Sequence, residues 1–198
     1  MKKLVLTGFQ PFGGMTCNPS GDILATIAET EGNLRIVKKI LPVEYGTAFL
    51  ELKDLMESTR PEYVLCLGLA AGRGHLSLEK AALNINSSET ADNAGNTILH
   101  STIIPGSREC YFSNLPLEDM MEAMHGEPVK ITYSAGTFVC NDIFYRLMHH
   151  IHERCQAVQG GFVHLPHSEC SGDKGCIPLE DQTRILRKII HYLGGGHG

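Results

Sequence analysis

Runs with strand character and runs with helix character alternate along this chain almost from end to end, and that alternation restricts it to an α/β layered architecture. Lys3 to Gly8 is a nearly continuous apolar run of strand length, and Leu34 to Leu41 and Tyr63 to Gly68 read as further strands. Between the last two, Tyr45, Ala48, Phe49, Leu52, Leu55 and Met56 recur at spacings of three and four, which predicts an amphipathic helix. Ser20 is the expected N-cap of an earlier helix running to about Glu31, with Ile23, Ile27 and Ala28 inward and Gly32 as its stop. Further on, Leu117 to His125 reads as a short helix and Val129 to Tyr133 as an alternating strand. A helix with Ile143, Leu147 and Ile151 on one face follows, then a strand from Gly161 to Leu165. The last helix starts near Pro178, carries Glu180 and Asp181 in its first turn, turns Ile185, Leu186, Ile189, Ile190 and Leu193 inward, and stops at Gly194.

The stretch from Ala70 to about Pro116 is less regular, with one strand candidate at His75 to Asn84 and a polar segment at Asn86 to Asn96, and predicts an excursion from the main sheet. A chain of 198 residues with 42% hydrophobic residues has the interior for one domain spanning 1–198, with a flexible tail from about 194. A net charge of -5 and no basic stripe argue against a nucleic-acid partner and favour a small neutral or zwitterionic ligand. The apolar run at Leu4 to Leu6 is too short for a secretion signal, and no apolar run approaches a membrane span, so a cytoplasmic protein without a membrane partner is expected. Seven cysteines are an odd number and widely spread, unlike a disulfide framework. Cys66, inside an apolar strand, is expected to be core, and Cys155, at a helix end, structural.

One cysteine stands apart. Within Ser134 to Asn141 a predicted strand ends, Gly136 turns the chain, and Cys140 lands at the opening of a helix, where unpaired N–H groups and the dipole favour a thiolate. Cys140 is therefore a candidate nucleophile, and such a nucleophile needs a base oriented by a third group. His164 ends the strand that follows, at the carboxyl edge where open α/β sheets bind ligands. Adjacent parallel strands joined by the helix, one β-α-β unit, would bring the two together. Glu79, a charge within an apolar strand pattern, is a candidate third member, although such a charge also commonly faces solvent or pairs with a lysine. The loop Gly8 to Gly14 follows a strand and should share this rim; its Phe9 and Phe12 could clamp a small flat ring or simply cover the sheet end. It lacks both the P-loop lysine and the dinucleotide fingerprint. His164, His167, Cys170 and Cys176 are all zinc-ligand types, but their spacing is irregular and holds no Cys-x-x-Cys pair, so no metal site is assigned.

These segments resemble a known family, the type I pyroglutamyl peptidases, also called pyrrolidone-carboxylate peptidases. The resemblance rests on Thr7-Gly8-Phe9, Pro11-Phe12-Gly13-Gly14 and Asn18-Pro19-Ser20 near the start, on Gly136 to Asn141 with Phe144-Tyr145 and Leu147-Met148-His149, and on Gly161 to His164. Glu79-Lys80-Ala81 and Asp92 to Gly95 lie between them in the same order. It implies a single-domain three-layer α/β/α sandwich with a mixed, mostly parallel sheet, no cofactor, and assembly as a homotetramer or homodimer. It also implies removal of N-terminal pyroglutamyl residues through a thioester, with Cys140 as nucleophile, His164 as base and then acid, and Glu79 orienting the imidazole. Phe9, Phe12, Asn18 and Arg73 would bind the pyroglutamyl peptide, and the backbone N–H of Cys140 would serve the oxyanion. The chain departs from the pattern at Glu89, where the family usually has an arginine, at Leu69, where many members have glutamine, and from His167 to Cys176. Glu89 motivates an alternative: a weak or inactive binder of pyroglutamyl-like ligands.

Overall fold

Alternation within the strands decides how the layers form. In β1 (Lys2–Phe9), Leu4 and Leu6 enter one apolar cluster while Val5 enters another. In β4 (Tyr63–Leu69), Tyr63, Leu65 and Leu67 face the first cluster while Val64 and Cys66 face the second. Strands apolar on both faces must be covered on both. On the first face lie α1 (Pro19–Thr26), α3 (Leu117–Ala123) and α5 (Leu179–Leu193), through Ile23, Met120, Ile185, Leu186 and Ile189. On the second lie α2 (Thr47–Thr59) and α4 (Val139–Arg154), through Ala48, Leu52, Ile143, Phe144 and Leu147. This is the α/β/α sandwich expected, seen in a computed structural model that describes residues 1–154, 157–168 and 175–195.

The central sheet has seven strands in the order β10 (Val129–Thr132), β5 (Leu76–Glu79), β11 (Gln159–Leu165), β4, β1, β3 (Leu34–Leu41) and β2 (Thr30–Glu31). β11, β4, β1 and β3 run parallel; β5 is antiparallel to β11 but parallel to β10, and β2 is antiparallel to β3. The sheet is mixed and mostly parallel, as read from the sequence. The connection around Cys140 differs from expectation: β10 and β11 are not neighbours and do not run parallel. β5 lies between them, with Glu79 opposite Thr132 on one side and Phe162 on the other. No β-α-β unit joins Cys140 to His164; the segment 133–138 carries the chain from β10 back to the start of α4.

Three local differences have simple causes. Asn18, not Ser20, caps α1: its side chain accepts the Ser20 N–H at 3.1 Å and Pro19 opens the helix, while the Ser20 hydroxyl accepts the Phe9 N–H at 3.0 Å. The helix ends at Thr26, and Ile27 stays buried in extended conformation while Ala28 is exposed, so Thr30 and Glu31 are free to pair with β3. The strand candidate from His75 to Asn84 splits at Lys80, whose N–H bonds Thr132 O at 2.7 Å; beyond it β6 (Ala81–Leu83) leaves the sheet to pair with β9 (Cys110–Phe112). A second ribbon, β7 (Asn86–Ser88) with β8 (Ile98–Ser101), completes the excursion. No described helix is long and apolar enough to cross a membrane. Cys66 is a buried free thiol; Cys155 and the end of the tail from 196 lie outside the described residues.

Candidate active site

Gly136, with φ of 80°, turns the chain, and Phe138 O receives the N–H groups of Asn141 and Asp142 as α4 begins. Cys140 is thereby the second residue of the helix and lines a cavity of about 280 Å³. Two fully buried polar residues fix that turn. Asn141 accepts the Leu83 N–H at 2.9 Å and donates to Leu83 O and Ile85 O at 2.8 and 2.9 Å. Asp142 accepts the Gly46 N–H at 3.0 Å, Asn86 Nδ2 at 2.8 Å and Arg146 Nε at 3.0 Å. Sequence reading passed over both; the available signal was an adjacent amide and acid at the opening of a helix whose next residues are apolar.

His164 lines the same cavity and presents Nδ1 to Glu79 Oε1 at 2.7 Å. A carboxylate can only accept, so Nδ1 carries the proton and Nε2 is the nitrogen left for proton transfer. Glu79 has no exposed surface, and its Oε1 also receives Arg73 Nη1 at 2.7 Å, while the same nitrogen reaches Ser77 Oγ at 3.1 Å. In β5, Leu76 and Leu78 face the first apolar cluster, which leaves Ser77 and Glu79 together on the other face. In sequence that alternation reads as a strand with a solvent-facing polar side; the place of β5 between β10 and β11, under α4, is what encloses it. Arg73, expected to bind substrate, borders the cavity but commits its guanidinium to this carboxylate.

The electrostatics correct one expectation. Burial pushes the Cys140 thiol up to about 12, helped by the Glu79 charge and Cys66, and outweighs the helix N-terminus and Arg73 that favour the thiolate. Burial likewise lowers the pKa of His164, against the hydrogen bond and charge of Glu79 that raise it. Burial opposes ionisation of Glu79, yet the bond and charge of His164, with Thr132 and Arg73, hold it below the ordinary carboxylate value. The resting site is a neutral thiol beside a neutral imidazole that is backed by a carboxylate.

Phe12 lies 5.8 Å from Phe138, centroid to centroid, and Tyr45 meets Phe138 edge-on at 5.5 Å. Phe138, which the sequence reading included in the Cys140 segment without giving it a role, thus partners Phe12, while Phe9 is 3% exposed and contributes to the cavity from within the core. Asn18 also borders the cavity; its amide donates to Gln10 O at 2.9 Å and keeps a second hydrogen. Asn93 ties the rim together, donating from its side chain to Pro11 O and from its backbone to Val43 O. Leu69 lines the cavity, and Glu89 is exposed just beyond β7, where Ser87 pairs with Thr137. His167 and Cys176 join no group of three metal-ligand side chains among the described residues, and Cys170 lies outside them.

A cavity of this size holds one residue of a chain rather than a run of them. A thiol lining it together with an imidazole backed by a carboxylate is the side-chain set of a cysteine peptidase. The family model for pyroglutamyl peptidase matches residues 2–176. The pyrrolidone-carboxylate peptidase of Thermosipho melanesiensis is 39% identical over 98% of this chain and 97% of its own. Among solved structures, pyroglutamyl peptidase I of Bacillus amyloliquefaciens superposes with a TM-score of 0.93 at 32% identity, covering 98% of both chains. The pyrrolidone carboxyl peptidase of Thermococcus litoralis gives 0.90 at 29% identity, over 96% of this chain and 92% of that one. The chain belongs to the pyroglutamyl peptidase family, and its activity is removal of an N-terminal pyroglutamyl residue.

Proposed function

We propose that Cys140, His164 and Glu79 carry this reaction as nucleophile, acid–base and orienting carboxylate. The carrying observation is the 2.7 Å contact from His164 Nδ1 to a fully buried Glu79, beside the cavity that Cys140 shares. Because thiol and imidazole are both neutral at rest, His164 Nε2 takes the thiol proton as Sγ attacks the carbonyl carbon of the pyroglutamyl residue. Glu79 stabilises the imidazolium that forms. The oxyanion accepts the backbone N–H of Cys140. His164 then gives its proton to the leaving amine, the C–N bond breaks, and a thioester remains. Water, deprotonated by His164, attacks the thioester; pyroglutamate leaves and the thiol regains its proton.

Phe12 and Phe138, packed against one another, give the ring one aromatic wall, Phe9 supports them from the core, and the spare amide hydrogen of Asn18 donates to a substrate carbonyl. Arg73 acts through Glu79, as a positioning residue. One catalytic domain spans 1–198, acts on pyroglutamyl peptides in the cytoplasm, and assembles as a homotetramer or homodimer. Turnover is favoured over the inactive-binder alternative by relatives named as peptidases across nearly the full chain. The test is release of a fluorophore from a pyroglutamyl amide. Cys140→Ala and His164→Ala should each lower kcat/KM by about 10⁴ or more with the fold retained, and activity surviving Cys140→Ala overturns the assignment.

A further inference from the structure

We infer that Gly68 is a positioning residue for the nucleophile: the space left by its missing side chain is the seat of the Cys140 sulfur. A glycine inside a strand gives up packing and costs more backbone entropy than other residues, so it needs a reason. Conformation is not the reason, because Gly68 sits in ordinary strand backbone outside the positive-φ region. Space is. A Cβ placed on Gly68 would stand 2.8 Å from Cys140 Sγ, 2.7 Å from Phe162 Cζ and 2.9 Å from Phe162 Cε1, all closer than carbon and sulfur atoms pack. Gly68 is also the residue of β4 in register with His164 on β11. The sulfur therefore rests on the sheet directly beside the strand position that carries the base.

The surroundings leave the thiol as the part that must yield if this space is filled. Phe162 is 1% exposed and packs 5.8 Å from Phe144 and 4.8 Å from His164, so displacing its ring disturbs the imidazole. The first turn of α4 cannot lift off the sheet without breaking the bonds of Asn141 to Leu83 and Ile85 and those of Asp142 to Gly46 and Asn86. A methyl group at position 68 is accommodated by rotating the Cys140 side chain, which moves Sγ off its seat beside the strand position that carries His164. Phe12, Phe138 and Asn18 are left in place, so the damage falls on the chemical step and not on ring binding. The catalytic half of this inference rests on Cys140 being the nucleophile; the steric half stands without it.

The experiment is a double-mutant cycle on the purified full chain, using Gly68→Ala, Cys140→Ala and the pair. Gly68→Ala should lower Tm in the parent protein and lower it distinctly less in the Cys140→Ala background, where the sulfur is gone. On a pyroglutamyl amide, Gly68→Ala should lower kcat about 100-fold and change KM by less than about threefold. Equal Tm losses in both backgrounds, or a kcat near that of the parent, overturns the proposal. Should Gly68→Ala fail to fold, its folding again in the pair with Cys140→Ala supports the seat, and failure of the pair as well overturns it. Activity in Cys140→Ala would defeat the nucleophile assignment separately, while the melting cycle would still report on the seat.

Discussion

The two faces of the central sheet are made by the same strands and both bury apolar clusters, yet the second also carries the buried polar groups of the site. Under α1, α3 and α5 the strands present Leu4, Leu6, Leu65, Leu67, Leu76 and Leu78, and the helices answer in kind. Under α2 and α4 the alternate positions of the same strands include Gly68, Ser77, Glu79 and His164, with Asn141 and Asp142 on the helix above. Apolar contacts on the first face are non-directional and roughly proportional to area. Hydrogen-bonded contacts on the second are directional, and removing one partner strands another in a poorly solvated site. The first face supplies stability that any well-packed side chain could supply; the second fixes particular atoms in particular places.

Three substitutions probe that contrast. The largest effect is expected from Glu79→Gln, which keeps shape but not charge: kcat/KM should fall by about 10³ to 10⁴. The acid limb of the parent's pH profile should lie below the ordinary histidine value of about 6.5, because burial lowers the pKa of His164 and Glu79 only partly restores it. Removing the carboxylate takes away the part that raises it, so the limb should move to still lower pH. A pH–rate profile in which it stays put breaks the electrostatic half of the contrast. Next comes Leu186→Ala, fully buried on the opposite face, which should cost about 2 to 5 kcal/mol in denaturant unfolding and leave kcat/KM of the folded enzyme unchanged. A fall in kcat/KM would mean that the apolar face also sets the site. The smallest effect is Phe138→Ala, expected to raise KM about tenfold with a lesser change in kcat, checked by steady-state kinetics. An unchanged KM would assign the ring contact to Phe12 and Phe9 alone.

The same contrast governs how much could be read from the sequence. Period-two and period-three-to-four patterns exposed the parallel core strands and the long helices because burial on the apolar face repeats along the chain. Cys140 was legible at a helix opening and His164 at a strand end; Glu79, Phe9 and Phe12 stood as candidates beside other readings, and resemblance added Asn18 and Arg73. Order across the sheet was not legible. The place of β5 between β10 and β11 is a pairing between distant segments that no local pattern records, and with it went the true position of Glu79. The bond of Arg73 to Glu79 was hidden for a local reason, since it spans a turn that the pattern left irregular. The thiol's state was misjudged because the helix N-terminus is visible in sequence, whereas the burial that outweighs it is not.

The insertion of β5 makes the chain indivisible. The carboxylate that backs the imidazole is contributed by residue 79, yet the strands that flank it begin only at residues 129 and 159, and the turn that seats the thiol is anchored to the ribbon segment at 83–86. There is accordingly no catalytic half of this protein. A piece ending before β11 would hold Glu79 and Cys140 without His164, and a piece starting after β5 would keep Cys140, its anchoring segment and His164 but lose the carboxylate that holds the imidazole. Competence belongs to the complete sheet, because no contiguous part of the chain holds all three side chains in place.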